Sequence, residues 1–302
     1  MYKRILIPVD GGSCSEQTVR WGLDFAAAVG AEVTFLHVVE VTTNMLSKLP
    51  TSALYLGDLI RDMREAGKAI LADARLEAKA AGVGCDAYML EDKQPAQAIL
   101  EAEKSHHLTL MATHSRRGLD RLFLGSVTEA VLRLSEKPHL ILRCPDDTSP
   151  LPAQVSFKRL LLPTDGSACS GHALTEGLKL AKVLGAEVTF LHALEVPVTV
   201  YTMPESMVYE PGIREEVQRT AQAILEKAHR EATEMGVKAS SHLADTAHLR
   251  PDQVIVNAEA EIDLTVMGTH GRRGFNRVLL GSVTERVLRR SVAPHLVVRC
   301  PG

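Results

Sequence analysis

Lys3-Arg4-Ile5-Leu6-Ile7-Pro8-Val9-Asp10-Gly11 is a near-continuous apolar run that ends in a turn signal. Such a run suits a strand buried on both faces of a parallel sheet. It reappears as Lys158-Arg159-Leu160-Leu161-Leu162-Pro163-Thr164-Asp165-Gly166, an offset of 155 residues. Gly30-Ala31-Glu32-Val33-Thr34-Phe35-Leu36-His37 recurs unchanged as Gly185 to His192 at the same offset. Thr113-His114-Ser115-Arg116-Arg117-Gly118 returns as Thr269-His270-Gly271-Arg272-Arg273-Gly274, and Gly125-Ser126-Val127-Thr128-Glu129 as Gly281 to Glu285, both at 156. A period this long means two tandem domains rather than a solenoid of short units.

The length of 302 residues agrees with two domains of roughly 150 residues each. The predicted domains are 1–146 and 156–302. Between them Asp146-Asp147-Thr148-Ser149-Pro150-Leu151-Pro152 reads as a short linker. With 45% hydrophobic and 24% charged residues, the chain has enough apolar surface to exclude disorder as its main state. Aromatics are only 4%, so aliphatic side chains must build the core. A net charge of −3 predicts no general attraction to nucleic acid or anionic lipid. No apolar run is long enough to span a membrane. Met1 to Asp10 lacks the apolar core and small-residue cleavage site of a secretory leader, so the expected location is cytoplasmic. Five cysteines, an odd number, argue against a disulfide framework.

Within the first copy, strands are expected at Arg4 to Val9, Glu32 to Val39, Ala87 to Leu90, Leu108 to Ala112 and His139 to Arg143. Helices are expected at Ser15 to Val29, ended by Gly30, then at Asp58 to Ala81, Ala96 to Glu103 after Pro95, and Val127 to Ser135. The second copy follows the same order. Alternating strands and helices imply right-handed βαβ units and a parallel sheet covered on both faces. Thr42 to Gly57 and Pro197 to Gly212 lack periodicity and read as loops or lids.

Ligands of open parallel sheets sit beyond the carboxyl ends of the strands. Three segments of the second copy converge there: Pro163-Thr164-Asp165-Gly166-Ser167, His192-Ala193-Leu194, and Gly268 to Gly274 with Gly281-Ser282. Gly268 and Gly271 let the backbone approach a ligand closely. Ser282 and Glu285 have the spacing of a capping box, and a helix N-terminus attracts phosphate. Each part also has a plainer meaning. A glycine after a buried strand serves a turn, Ser282 serves as a cap, and Asp165 bonds its local backbone.

Taken together, these residues resemble the universal stress protein family. Gly268-x2-Gly271-x9-Gly281-Ser282 is similar to that family's ATP-binding signature, and the likeness covers nearly the whole chain twice. The resemblance implies two Rossmann-like, adenine nucleotide alpha hydrolase-like α/β domains, each a five-stranded parallel sheet in order 3-2-1-4-5. It implies ATP as ligand, with Mg2+ accompanying the phosphates. Asp165 and the backbone of Ala193 would read adenine and ribose, beside Pro163 and Thr164, with Met267 and Gly268 at the ribose. Gly271, Arg272, Gly281, Ser282, Val283 and Thr284 would line the phosphates. The first copy would use Pro8, Val9, Asp10, Val38, Ala112, Ser115, Arg116, Gly125, Ser126, Val127 and Thr128. There Ala112 and Ser115 replace the first two glycines. Ser115 would be strained if a positive φ were required. Both sites are expected to bind ATP, the second more tightly. The resemblance further implies that the fifth strands pair the two copies, so that one chain mimics a dimer; a homodimer and a protein partner remain open.

Other residues invite functional readings. Cys14 and Cys169 are equivalent and sit near a helix start, where a thiol pKa falls. The preferred reading is a small buried residue, with redox sensing as the alternative. Cys144 and Cys300 read as packing, and Cys85 occurs in one copy. The twelve histidines lack zinc-site spacing, including His106-His107 and His242 with His248 near Asp245. His37/His192, His114/His270 and His139/His295 recur, for a shared structural or ligand-edge role. Arg272 is preferred to Arg273 as a phosphate contact. Near the phosphate loop no Walker lysine or paired carboxylate stands ready for hydrolysis. The leading reading is therefore a nucleotide-binding stress or signalling protein. The alternatives are a slow ATP hydrolase or adenylyl-transfer enzyme assisted by His270 or Glu285, and a partner-binding scaffold independent of nucleotide.

Overall fold

The computed structural model describes residues 1–40, 54–114, 124–144, 156–195, 211–246, 249–271 and 280–300. The chain divides into two compact units, Met1–Val155 and Ser156–Gly302. The expected linker, Ser115, Arg116, Arg117, Arg272, Arg273 and His248, and most of the two expected loops, lie outside the described residues.

The first unit runs β1 (Arg4–Pro8), α1 (Ser13–Val29), β2 (Glu32–Val39), α2 (Leu54–Ala80), β3 (Cys85–Glu91), α3 (Pro95–Ala102), β4 (Leu108–His114), α4 (Ser126–Leu134) and β5 (His139–Cys144). Its strands are parallel and ordered β3-β2-β1-β4-β5. The second unit repeats this with β6 (Arg159–Pro163), α5 (Ala168–Leu184), β7 (Glu187–Leu194), α6 (Pro211–Met235), β8 (Ala239–Asp245), α7 (Pro251–Ala258), β9 (Leu264–Gly268), α8 (Ser282–Arg290) and β10 (His295–Val298). Its order, β8-β7-β6-β9-β10, is also that of 3-2-1-4-5. The strand order thus agrees with the expectation for each unit. Among the described residues, no helix is long and apolar enough to cross a membrane.

The central strands are buried as their apolar runs require. Ile5, Leu6, Ile7, Leu160 and Leu162 are fully enclosed, as are Phe35 and Phe190 on the neighbouring strands. Burying each such side chain contributes about 2 kcal/mol. Gly30 and Gly185 end α1 and α5 in the left-handed conformation.

Among the boundaries that differ from expectation, two bear on the site. Leu54 to Gly57 belongs to α2, so that helix starts inside the stretch read as a loop. Ser282 is the first residue of α8, not its cap; Gly281 takes that position without a side-chain bond. Glu285 pairs with Arg289 at 2.7 Å, and Ser282 Oγ accepts from Arg286 at 3.2 Å. Basic residues one turn further on have captured both members of the expected capping box.

The cysteines give the larger correction. Cys14 is bonded to Cys144 and Cys169 to Cys300, with Cα separations of 5.7 and 4.9 Å, and Cys85 is free. The odd total hides two pairs and a single residue. Each pair joins the first turn of the first helix of its unit to the end of the fifth strand, or just beyond it.

His139 and His295 lie at the amino ends of β5 and β10, far from a carboxyl rim. Each bonds a buried glutamate: His139 Nε2 to Glu103 at 3.1 Å, and His295 Nε2 to Glu259 at 2.8 Å. Thr109 and Thr265 donate to the same carboxylates. In the second unit Ser291 donates as well. Their shared role is structural.

Candidate functional site

A parallel strand alternates the side on which each residue's N–H and C=O point. In the first unit Val9 N–H donates to the Leu36 carbonyl at 2.8 Å, so Leu36 faces β1. Val38, two residues on, faces the same side, after β1 has ended at Pro8. Ala193 stands in the same relation to β6, because Thr164 N–H donates to the Leu191 carbonyl at 2.9 Å. The two backbones expected to read a base are therefore aimed at the crevice.

The aspartates end tight turns. Asp10 Oδ1 accepts from Gly12 N–H at 2.9 Å, and Asp165 Oδ1 from Ser167 N–H at 3.0 Å. Gly11 and Gly166 between them have φ of 78°, a region that suits glycine. A Cβ on either would stand 2.5 Å from Ile70 or Ile224 of the long helix. The plainer reading of Asp165 holds for one oxygen, which bonds the turn, while the residue still lines the rim.

The helix starts form the opposite wall. Thr128 Oγ1 donates to the Ala112 carbonyl at 3.0 Å, and Thr284 Oγ1 to the Gly268 carbonyl at 2.8 Å. These bonds pin α4 and α8 to the ends of β4 and β9. They also commit the threonine hydroxyls, so an anion there would meet the backbone amides of the first turn.

In the first unit these elements enclose a hollow of about 610 Å³. Pro8, Val9, Asp10, Val38, Ala112, Gly125, Ser126, Val127 and Thr128 all line it. Sequence reasoning missed Ser15, Pro95 and Ile99, which line it as well, along with Cys14, Thr18, Leu36, Met111 and Leu124. The repeat carried a signal for the first three: Ser170, Pro251 and Ile255 occupy the matching places in the second unit.

The second hollow is about 130 Å³. Pro163, Thr164, Asp165, Ala193, Met267, Gly268, Gly271, Val283 and Thr284 line it, with His270. Gly281 and Ser282 lie beside it and are not part of its lining. The described residues that follow β9 lie close to their neighbours. Gly281 N–H donates to the Thr269 carbonyl at 2.7 Å. Among the described residues no matching bond joins Gly125 to Thr113. A Cβ on Gly271 would stand 2.7 Å from Asp165 Oδ2. Gly271 is not among the positive-φ glycines, so proximity to Asp165 rather than a left-handed backbone accounts for glycine there. Ser115, the equivalent position, lies outside the described residues.

Asp252 is a further difference. Fully buried, it lies between α7 and α8 with Arg250, Arg286 and Arg290 at 3.0–3.1 Å. By the 156-residue offset the first unit has Gln94, Ala96, Ala130 and Leu134 in these places. Ion pairs to Asp252 thus brace the helices flanking the second hollow. Among the described residues, no group of three or more His, Cys, Asp or Glu is placed to hold a metal ion.

The model of the universal stress protein family matches residues 1–143 and again 156–299. A universal stress protein of Mycolicibacterium smegmatis is 26% identical over 98% of this chain and 96% of its own. One from Methanocaldococcus jannaschii is 35% identical over 48% of this chain and 84% of its own. The crystal structure of a universal stress protein from Archaeoglobus fulgidus superposes with a TM-score of 0.70 at 23% identity, covering 98% of this chain and 96% of that one. With the family matched on both units and the fold shared along the chain, this protein belongs to the universal stress protein family and carries its domain twice.

Proposed function

We propose that the chain binds ATP at the carboxyl rim of each unit and acts in stress response or signalling through nucleotide-dependent conformation or assembly. The observation that carries this reading is the first hollow. Its 610 Å³ falls within the usual range for small-molecule sites, about 300–1,000 Å³. It is walled by the vacated backbone edge of β2 and by the amino end of α4, a combination suited to a base at one end and phosphates at the other. Space at Gly125 supports the fit: a Cβ there would meet only Thr128 Oγ1, at 3.9 Å. Magnesium would arrive on the phosphates as part of the ligand. In the second unit binding requires the Gly271 segment to withdraw from Asp165 and the Gly281 amide to leave Thr269. A cytoplasmic setting and a protein partner that senses the bound state belong to the same proposal.

Calorimetry with ATP and magnesium on the full chain tests it. The expected result is two binding events, together with adenine nucleotide in the mass spectrum of the denatured protein as purified. A chain with no adenine absorbance, no heat of binding and no thermal shift with ATP overturns the proposal and favours a nucleotide-independent scaffold.

A further inference from the structure

We propose that Cys169–Cys300 and Cys14–Cys144 are reversible dithiol–disulfide sites whose state sets the shape of the adjoining hollow. This rests on the nucleotide reading only for its effect on ligand affinity.

The pairs are built into the rims. An ideal Cβ on Gly268 would lie 2.7 Å from Cys169 Sγ and 3.1 Å from the Cys169 carbonyl oxygen, so the end of β9 rests directly on this residue. Cys300 Sγ is 3.3 Å from Thr269 Oγ1 and 3.8 Å from His270 Nδ1. One sulfur thus supports Gly268 and the other touches the two residues that follow it. Cys14 lines the first hollow. Both pairs obey the offset of the repeat and Cys85 does not, which separates paired sulfurs from an incidental one.

The chemistry has its parts in place. Cys169 lies in the first turn of α5, where a thiolate is favoured. Cys300 is half-buried and has an imidazole beside it. With a peroxide as oxidant, His270 takes the Cys300 proton and the thiolate attacks one peroxide oxygen. The O–O bond breaks, the leaving hydroxide takes the proton back from His270 and departs as water, and Cys300 becomes a sulfenic acid. The Cys169 sulfur attacks that sulfur, the S–O bond breaks, and a second water leaves with the Cys169 proton. Two thiols and hydrogen peroxide give one disulfide and two waters. A small dithiol reverses the change by exchange. In a reducing compartment disulfides of this kind are transient.

Breaking the bond moves the two sulfurs from bonding distance to van der Waals contact, about 1.5 Å further apart. A close-packed rim cannot absorb that without shifting Gly268 and Thr269. In the second unit the disulfide form has the narrow hollow, and freeing Gly268 and Thr269 is expected to widen it; the first hollow is already wide with Cys14–Cys144 closed, so the smaller response is expected there.

The test compares the full chain treated with hydrogen peroxide and with dithiothreitol. Alkylation and intact mass should show one labelled cysteine, Cys85, after oxidation and all five after reduction. Amide exchange of the 264–271 peptide should be faster in the reduced form. ATP affinity at the second unit should rise about fivefold or more on reduction, and this gain should vanish in both Cys169→Ser and Cys300→Ser. Cys85→Ser should leave it unchanged. Disulfides that survive dithiothreitol in the native protein, or exchange that is equal in the two states, overturn the proposal. Altered exchange with no ATP binding in either state retains the switch and refutes the nucleotide reading instead.

Discussion

The two rims are built from the same elements, yet they differ in opposite senses. The second holds every residue of the Gly-x2-Gly-x9-Gly-Ser spacing and encloses about 130 Å³; the first has Ala112 and Ser115 in place of two glycines and encloses about 610 Å³. In the second unit each glycine answers to a neighbour within the protein. Gly268 makes way for Cys169, Gly271 for Asp165, and Gly281 for the Thr269 carbonyl, 2.9 Å from its ideal Cβ. Glycine spacing therefore marks where a backbone comes close, and the chain's own loop can be what it comes close to.

The largest expected effect separates the two rims by ligand. Gly125→Asp sets a carboxylate at the amino end of α4, and the repulsion from phosphate should weaken ATP binding at the first unit by about a hundredfold. Gly281→Asp should do the same at the second. Calorimetry of both variants assigns each binding event to a rim. If the tighter event disappears with Gly125→Asp, hollow size outranks the glycine signature, and the expectation of a tighter second site falls.

Next come the buried glutamates. Burial alone would raise the Glu259 carboxyl, but bonds from His295, Ser291 and Thr265 hold it below the ordinary glutamate value of 4.5. A depressed carboxylate stabilises the fold above that pH, and the contribution is lost as pH falls through the lower folded value. Glu259→Gln should cost about 3 kcal/mol at neutral pH and flatten the acid limb of stability below pH 4.5. Glu103→Gln should cost about 1 kcal/mol less, because Ser291 is an added partner of Glu259. Urea melts from pH 3 to 7 check both; equal losses would remove the distinction.

The smallest effect lies at the start of the signature. Gly268→Ala presses a methyl group on Cys169 and should destabilise the protein by about 1–2 kcal/mol. Ala112→Gly in the other unit should cost about 0.5–1 kcal/mol through chain entropy alone. Thermal melts of the two variants measure the gap, and a harmless Gly268→Ala would mean the end of β9 is not packed as described.

Much of this was legible in the sequence, since strands such as Arg4–Pro8 announce themselves by continuous burial and Pro95 marks a helix start. The segments at the rim followed from topology, because strand ends converge whatever the loops do, and the individual residues from the resemblance to the family. The disulfides were hidden by counting. Cys14 and Cys144 are 130 residues apart and meet only through the sheet, and an odd total suggested no pairing. The repeat matched Cys14 with Cys169 and Cys144 with Cys300, but equivalence between copies does not say that the two cysteines of one copy meet. Capping at Ser282 was misread because Arg286 and Arg289, one turn on, compete for Ser282 and Glu285. The difference in volume was illegible, as it depends on how closely backbone segments pack and not on any one residue type.

The contact of Gly11 with Ile70, and of Gly166 with Ile224, has a mechanical meaning. Helices of 27 and 25 residues bear on the turns that present Asp10 and Asp165. Each is a long lever with one point of contact beside a rim carboxylate, so a displacement of the helix is felt at the turn that holds it.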